Sequence, residues 1–487
     1  MNTISGLTGT IGRLWIGAGI FLATCMLAPH MAVIGYHVSL SSNEGWNAYQ
    51  AQHAMGMGGT GLYPPPGGMV FNNYPPSSFY VVGALGWLLG DMILAGRIVS
   101  LFAMLFCAFA TGRIVTIMGG TRAAAWFAGL LVIFYAAVFY SDYVVMNDPQ
   151  WLAEAIIMAG FVLLLGNRGD TRGGIPAWRA FCAGLVMATG LTFKHNILAL
   201  PLAITLWLLV TDRRGALAWM LGGVVGVSVL GGLFYACFGP DFIHGVFGHK
   251  RIFQIQGAIK GLANVLGLGG MMVSALLLPR LGLRNRMGLL LGTYLFWSVL
   301  SVVIQRTGAG VTHNACFEAL IAAALCAGLA ISGLEKGMVP PGWVPARMGV
   351  VMLAGLDLLP IVACAPVYVP FLYRSTAEVM AHEPAWRETI GAVGHMDGNV
   401  GCETLAMCYW AGKPVVMDFF NYSQHVAVTH DATALRKALD RHDIAAFVSS
   451  SRFLPPRYVW EYSSLWTIIR DRYTRVQLRG VAYIVTP

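Results

Sequence analysis

Residues 98–118 read IVSLFAMLFCAFATGRIVTIM, and residues 122–141 read RAAAWFAGLLVIFYAAVFYS. A helix needs about 20 mostly apolar residues to cross roughly 30 Å of hydrocarbon. Each stretch meets that length with a single charge, Arg113 in the first and Arg122 in the second. The pair therefore reads as two membrane spans. Working outward, the same pattern recurs at 14–35, 151–166, 180–193, 197–211, 215–237, 261–279, 287–304, 315–333 and 348–368, which brings the expected total to about 11. Residues 79–90 are too short to cross and are expected to form an interfacial or re-entrant helix. The first span is too long for a secretory signal and lacks a small-residue cleavage site.

Composition agrees with this reading. Of 487 residues, 57% are hydrophobic and 11% charged, against about 25% charged in soluble domains. Mean hydropathy is +0.65. The 59 glycines fit as well, since glycine is commoner in membrane helices than in soluble ones. A soluble enzyme, a disordered chain, a collagen-like repeat and a disulfide scaffold are excluded. The net charge of +9 is no nucleic-acid signal, because membrane proteins gather Lys and Arg in cytoplasmic loops. Residues 369–487 hold 23 of the charged residues. The expected organisation is a membrane domain over 1–368, with external loops 36–97 and 142–150, followed by a soluble domain over 369–487.

A cytoplasmic N-terminus puts Arg13, Arg113, Arg122, Arg168, Arg172, Arg179, Arg213, Arg214, Arg280, Arg284, Arg286, Lys336 and Arg347 inside, against Asp170, Asp212 and Glu335. Eleven crossings then leave the tail outside. Among nine cysteines, Cys402 and Cys408 lie in that tail. A bridge between them needs an oxidising compartment and close Cα atoms, so the simpler expectation is two free thiols.

The external side holds the unusual residues. Loop 36–78, YHVSLSSNEGWNAYQAQHAMGMGGTGLYPPPGGMVFNNYPPSSFY with its flank, is long for a connection, and such loops are usually functional or disordered. Glu44 follows Asn43 just beyond the first span. It is either a solvated surface acid or a desolvated carboxyl fit for base work. In YSDYVVMNDPQWLAEA, Asp148 opens a helix, so Asn147 or Asp148 could equally be a cap. Asp142 reads as structural. TGLTFKHNILALPL places Lys194 and His195 between spans. A snorkelling lysine is the bland account and a phosphate-binding cation the functional one. QRTGAGVTHNACFEAL adds Arg306, His313, Asn314 and Glu318, the last a costly charge about one turn inside a span. Asp357 reads as packing polarity.

In this order the segments resemble the GT-C glycosyltransferases that use polyprenyl-phosphate sugars, most of all the bacterial branch related to protein O-mannosyltransferases and the lipid A aminoarabinose transferase. Five features carry the resemblance. They are Asn43-Glu44-Gly45 with Tyr49; Tyr74-Pro75-Pro76 leading to a short aromatic helix and Arg97; Asp148; Phe193-Lys194-His195; and Asn314 with Glu318. The tail, CETLAMCYWAGKPVVMDF followed by LRKALDRHDIAAFVSS, resembles the small external α/β domain of many members. The chain departs from the pattern at Asn43, where the family usually has an Asp, the presumed base.

The resemblance implies a polytopic α-helical membrane protein of GT-C type with a small C-terminal extracytoplasmic α/β domain. The site would be a multi-pass one in the bacterial inner membrane, with the tail in the periplasm. The implied reaction moves a sugar, with inversion, from a polyprenyl-phosphate donor to a periplasmic lipid, polysaccharide or protein acceptor. Glu44 is expected as base and Asp148 as the residue that positions the acceptor. Both could also hold a divalent metal through hard oxygen ligands, although no compact ligand cluster exists in the sequence. Lys194, Arg306 and Arg97 are the expected phosphate cations. His195 and His313 could bond phosphate or sugar, and Tyr49 and Tyr74 offer flat surfaces to sugar rings. Three rivals stand beside this reading: a transporter or lipid flippase, a catalytically lost paralogue as Asn43 permits, and a ligase using a pyrophosphate carrier.

Overall fold

In this computed structural model the structure describes residues 10–59, 61–166, 174–281, 286–338, 344–449 and 459–487. Arg168, Asp170, Arg172 and Arg284, used above for orientation, lie outside the described residues.

Helix α1 (Thr10–Ala32) is followed by two short helices, α2 (Ser42–Ala54) and α3 (Ser77–Leu89). Then come α4 (Met92–Ile117), α5 (Arg122–Phe139), α6 (Gln150–Leu165), α7 (Ala177–Leu191), α8 (Ala199–Thr211), α9 (Arg213–Phe238) and α10 (Pro240–Gly248). The membrane part ends with α11 (Ile255–Leu266), α12 (Gly269–Leu277), α13 (Arg286–Gln305), α14 (Phe317–Glu335) and α15 (Ala346–Gly394). Each expected span falls on one of these helices except 261–279, which falls across α11 and α12. Among the described residues, 7 helices are long and apolar enough to cross alone. The pair α11–α12, bent by 67°, adds an eighth candidate. Helices α6, α7 and α8 are shorter, so length and composition do not by themselves reach 11 crossings.

Small residues build the interior. Helix α14, FEALIAAALCAGLAISGLE, has its span wholly buried, and its Ala and Gly side chains let neighbouring helices approach closely. Helices α7 and α9 meet the same way: a Cβ at Gly222 would lie 2.0 Å from the Phe181 carbonyl oxygen. Packing of this kind replaces the hydrophobic drive that lipid cannot supply.

Helix α15 carries the chain past residue 368 without interruption, so the compositional boundary falls inside a helix. Its 49 residues span about 74 Å, more than twice the hydrocarbon thickness. Beyond it lies a 4-stranded sheet in the order β1-β2-β4-β3, made of β1 (Val400–Cys402), β2 (Ala446–Ser449), β3 (Arg475–Arg479) and β4 (Ala482–Thr486). Strands β1 and β2 are parallel, with Gly401 opposite Phe447. Strand β4 runs antiparallel to both β2 and β3. Helices α16 (Leu405–Trp410), α17 (Phe419–Thr429), α18 (Thr433–Asp440) and α19 (Val459–Arg470) complete this part.

One expectation is corrected here. Cys402 and Cys408 form a disulfide, their Cα atoms 5.8 Å apart, because α16 turns the chain back on β1. Asp418 caps α17 through the Asn421 amide.

Candidate functional site

Helix α2 is short, polar and almost entirely buried. The Ser41 hydroxyl caps it by accepting from the Asn43 amide. Glu44, on its first turn, is fully buried and meets Arg97 of α4 in a two-pronged ion pair. Arg97 Nε donates to Glu44 Oε1 and Nη2 to Oε2, each at 2.8 Å. The remaining guanidinium hydrogens go to the carbonyls of Val33, Ile34, Tyr36 and Val38, just beyond α1. Glu44 also accepts from the Leu40 and Asn147 amides.

Both oxygens of Glu44, expected as base and metal ligand, are thus engaged by Arg97 and backbone amides, and the guanidinium of Arg97, expected on a phosphate, is engaged by Glu44 and backbone carbonyls. Together they fasten α1, α2 and α4, and removing either partner of such a buried pair typically costs about 3–5 kcal/mol.

Asp148 is placed differently. It lies between the 3-10 turn Ser141–Tyr143 and α6. Its Oδ1, just ahead of α6, accepts from the Gln150 amide at 2.8 Å; the N-cap of that helix is Pro149. The same oxygen lies 3.1 Å from Lys194 Nζ, and Oδ2 accepts from Asn43 Nδ2 at 3.0 Å. Lys194 is 3% exposed and Asp148 5%. Lys194 Nζ also sits 4.7 Å from the centre of the Tyr74 ring, a cation–π contact. Burial alone would lower the Lys194 pKa, but the Asp148 carboxylate and Tyr74 outweigh it and hold the ammonium above its usual value. Four segments thus converge, from α2, loop 61–76, the start of α6 and the α7–α8 turn.

The 306–314 segment joins from the side. The hydroxyls of Tyr143 and Thr312 are hydrogen-bonded at 2.6 Å. Arg306 Nη1 donates to the Val311 carbonyl, while its Nε is buried without a partner. His313 packs against Tyr140, ring centres 5.8 Å apart. His195 faces Phe247 at 6.3 Å and is exposed. Asn314 is a turn residue, its Oδ1 accepting from the Thr312 amide. Glu318 of α14 lies against the start of α8, accepting from the Leu200 amide at 3.1 Å. Tyr49 points the other way, donating to the Lys413 carbonyl at 2.6 Å and packing on Tyr409 of the C-terminal part.

Several site residues escaped the sequence reading. Asn47 donates to the Asn147 carbonyl at 2.8 Å. Asn47, Ser78, Asn147 and Asp148 line a narrow cavity, where Asn47 Oδ1 and Ser78 Oγ are buried without partners. Trp46 packs edge-on against Tyr74 at 5.1 Å. Glu154, fully buried, accepts from Gln150 Nε2 and faces Glu318. A signal for Glu154 existed, since a carboxyl within an apolar span is itself unusual. Asn47 lies one turn from Asn43, a hint available once α2 is known to be helical.

A divalent metal does not fit the residues expected to hold it. Glu44 is saturated by Arg97, and an ammonium already occupies the front of Asp148. Among the described residues, no group of three or more His, Cys, Asp and Glu side chains could hold a metal ion.

No protein-family model matches the chain, and no curated protein matches it. Solved structures do. ArnT from Cupriavidus metallidurans in the apo state aligns with a TM-score of 0.62 at 15% identity, covering 98% of both chains. ArnT bound to undecaprenyl phosphate aligns with a TM-score of 0.58 at 16% identity and the same coverage. The oligosaccharyltransferase AglB from Archaeoglobus fulgidus, in complex with an inhibitory peptide and a dolichol-phosphate, gives 0.52 at 11% identity, covering 98% of this chain and 75% of that one. The chain has the GT-C fold that these structures share.

Proposed function

We propose that the chain is an integral-membrane glycosyltransferase. It moves a sugar, with inversion, from a polyprenyl-phosphate donor to an acceptor outside the membrane, with Asp148 as base. One observation carries this reading: Lys194 and Asp148, paired at 3.1 Å beneath Tyr74. A carboxylate can take the acceptor's proton, and an ammonium can take the donor's phosphate. The two sit together where the outer segments meet. The lipid phosphates bound by the ArnT and AglB structures support a donor of this class.

The chemistry follows from the pair. The arriving donor phosphate draws Lys194 away from Asp148, and the carboxylate is freed as the acceptor hydroxyl approaches. The acceptor oxygen forms its bond to the anomeric carbon, the bond from that carbon to the phosphate oxygen breaks, and Asp148 takes the hydroxyl proton. Lys194 stabilises charge on the leaving phosphate, with Arg306 as the second cation. Asn43 cannot take a proton here; its amide holds Asp148 in place. His195 and His313 line the approach. The acceptor is a periplasmic lipid, polysaccharide or protein.

The same reading places the chain in a bacterial inner membrane with its N-terminus in the cytoplasm, 11 crossings and residues 369–487 in the periplasm. The Cys402–Cys408 bridge supports an oxidising side for the tail.

The test is incubation of purified protein, in lipid nanodiscs, with polyprenyl-phosphate sugars, following release of carrier phosphate. Release that falls about 10²–10⁴-fold in Asp148→Asn supports the reading. Uptake of the lipid-linked sugar into sealed vesicles without release overturns it in favour of a flippase.

A further inference from the structure

Loop 61–76 presents Tyr74 to Lys194, yet it contains no helix or strand. Its position is therefore set by what grips it. From below, Trp46 Nε1 and Gln50 Nε2 both donate to the Phe71 carbonyl at 3.1 Å. From above, the Asp418 amide donates to the Met69 carbonyl at 2.8 Å. The Phe71 ring lies among Tyr422, His425 and His249, at 6.4, 5.7 and 5.8 Å. Asp418 is 2% exposed, and its carboxyl caps α17 by accepting from the Asn421 amide at 3.0 Å. Trp46 in turn packs on Tyr74, and Tyr74 on Lys194.

These contacts form one continuous line from helix α17 of the tail to the ion pair. We infer that the C-terminal domain is a positioning element of the Lys194–Asp148 site, acting from Asp418 at the start of α17 through Met69 and Phe71 of the loop to Trp46 and Tyr74. The inference rests on the proposed reading of that pair as the reactive centre. Neither Asp418 nor Trp46 touches the reacting groups. Their effect is to keep an aromatic face over the ammonium, so that Lys194 stays beside Asp148 until a phosphate displaces it.

Spatial continuity alone does not establish coupling, so the test reads Lys194 directly and needs no turnover. The full chain in nanodiscs is acetylated with a small anhydride. Labelling of Lys194 is measured by mass spectrometry relative to exposed Lys260, and hydrogen exchange of strands 446–449 and 482–486 reports whether the domain is intact. Asp418→Ala and Trp46→Phe are each expected to speed Lys194 labelling about tenfold with strand exchange unchanged. Asp431→Ala, at an exposed position of the same domain, is expected to leave it unchanged. If Asp418→Ala also loosens the strands, Trp46→Phe on α2 decides. Lys194 labelling at the wild-type rate in Trp46→Phe overturns the inference, as does equal acceleration by Asp431→Ala. A failed transfer assay would sink the proposed activity and leave this result readable.

Discussion

The Lys194 ammonium and the Asp148 carboxylate are each other's principal partner, 3.1 Å apart and nearly sealed from solvent. A buried ion pair stores an unusual option. Either member is costly to leave alone, so each will exchange its partner for another charge, and a phosphate is the natural rival to a carboxylate.

That competition gives a prediction with opposite signs in two assays. Asp148→Asn removes the anion that competes for Lys194. Turnover should fall, while affinity for the bare carrier lipid undecaprenyl phosphate should rise about tenfold, or ~1.4 kcal/mol. Lys194→Met should lose both. Equilibrium binding of the carrier lipid to each variant checks this; weaker binding in Asp148→Asn would contradict the competition.

Glu44 and Arg97 should behave as structure. Glu44→Gln leaves a guanidinium buried with half its anchorage, and Arg97→Lys loses the two-pronged geometry that a lysine cannot reproduce. Each should lower stability by about 3–5 kcal/mol, seen as a lower midpoint of thermal unfolding in detergent. The folded fraction of Glu44→Gln should keep its turnover. Normal stability with abolished turnover would restore Glu44 as base.

This outcome marks where sequence reading succeeds and where it stops. The spans were legible because hydrocarbon demands long apolar runs, and α4, α5 and α14 have them. The continuation of α15 was not, because its polar outer half has the composition of any soluble segment. Asn43, Asp148, Lys194 and Tyr74 could be nominated from their places at span ends. Which carboxylate was available could not. Glu44 and Arg97 are 53 positions apart, and only the meeting of α2 with α4 uses both up. Glu318 likewise reads as a costly buried charge until α8 presents its free amides to it.

The disulfide and helix α16 give a third prediction. Helix α16 packs on α2, and a Cβ at Gly45 would lie 2.0 Å from the Ala406 nitrogen. The Cys402–Cys408 bridge, spanning six positions, fixes that helix to β1. Closing so short a loop is worth about 2 kcal/mol in the chain-entropy view. Cys402→Ser with Cys408→Ser should lower the unfolding midpoint of the tail. Gly45→Ala should loosen the same contact from the α2 side, raising hydrogen exchange across 402–410. Thiol alkylation of unreduced protein should leave both cysteines unmodified.

The last prediction concerns pH. Burial raises the Asp418 carboxyl from its ordinary 3.8 to about 6, although hydrogen bonds from Asn421 pull it back down. A raised folded-state value means the fold binds this proton more tightly than the unfolded chain does. The resulting stability is complete below about 3.8 and is lost as pH rises through about 6. The seat between α17 and loop 61–76 should therefore be tighter on the acid side of 6, where the carboxyl is neutral. Asp418→Asn, uncharged at every pH, should remove this dependence. Thermal unfolding of the tail on both sides of pH 6 checks it. A wild-type tail that gains stability as pH rises through 6, with Asp418→Asn following the same curve, would show that Asp418 does not govern the seat.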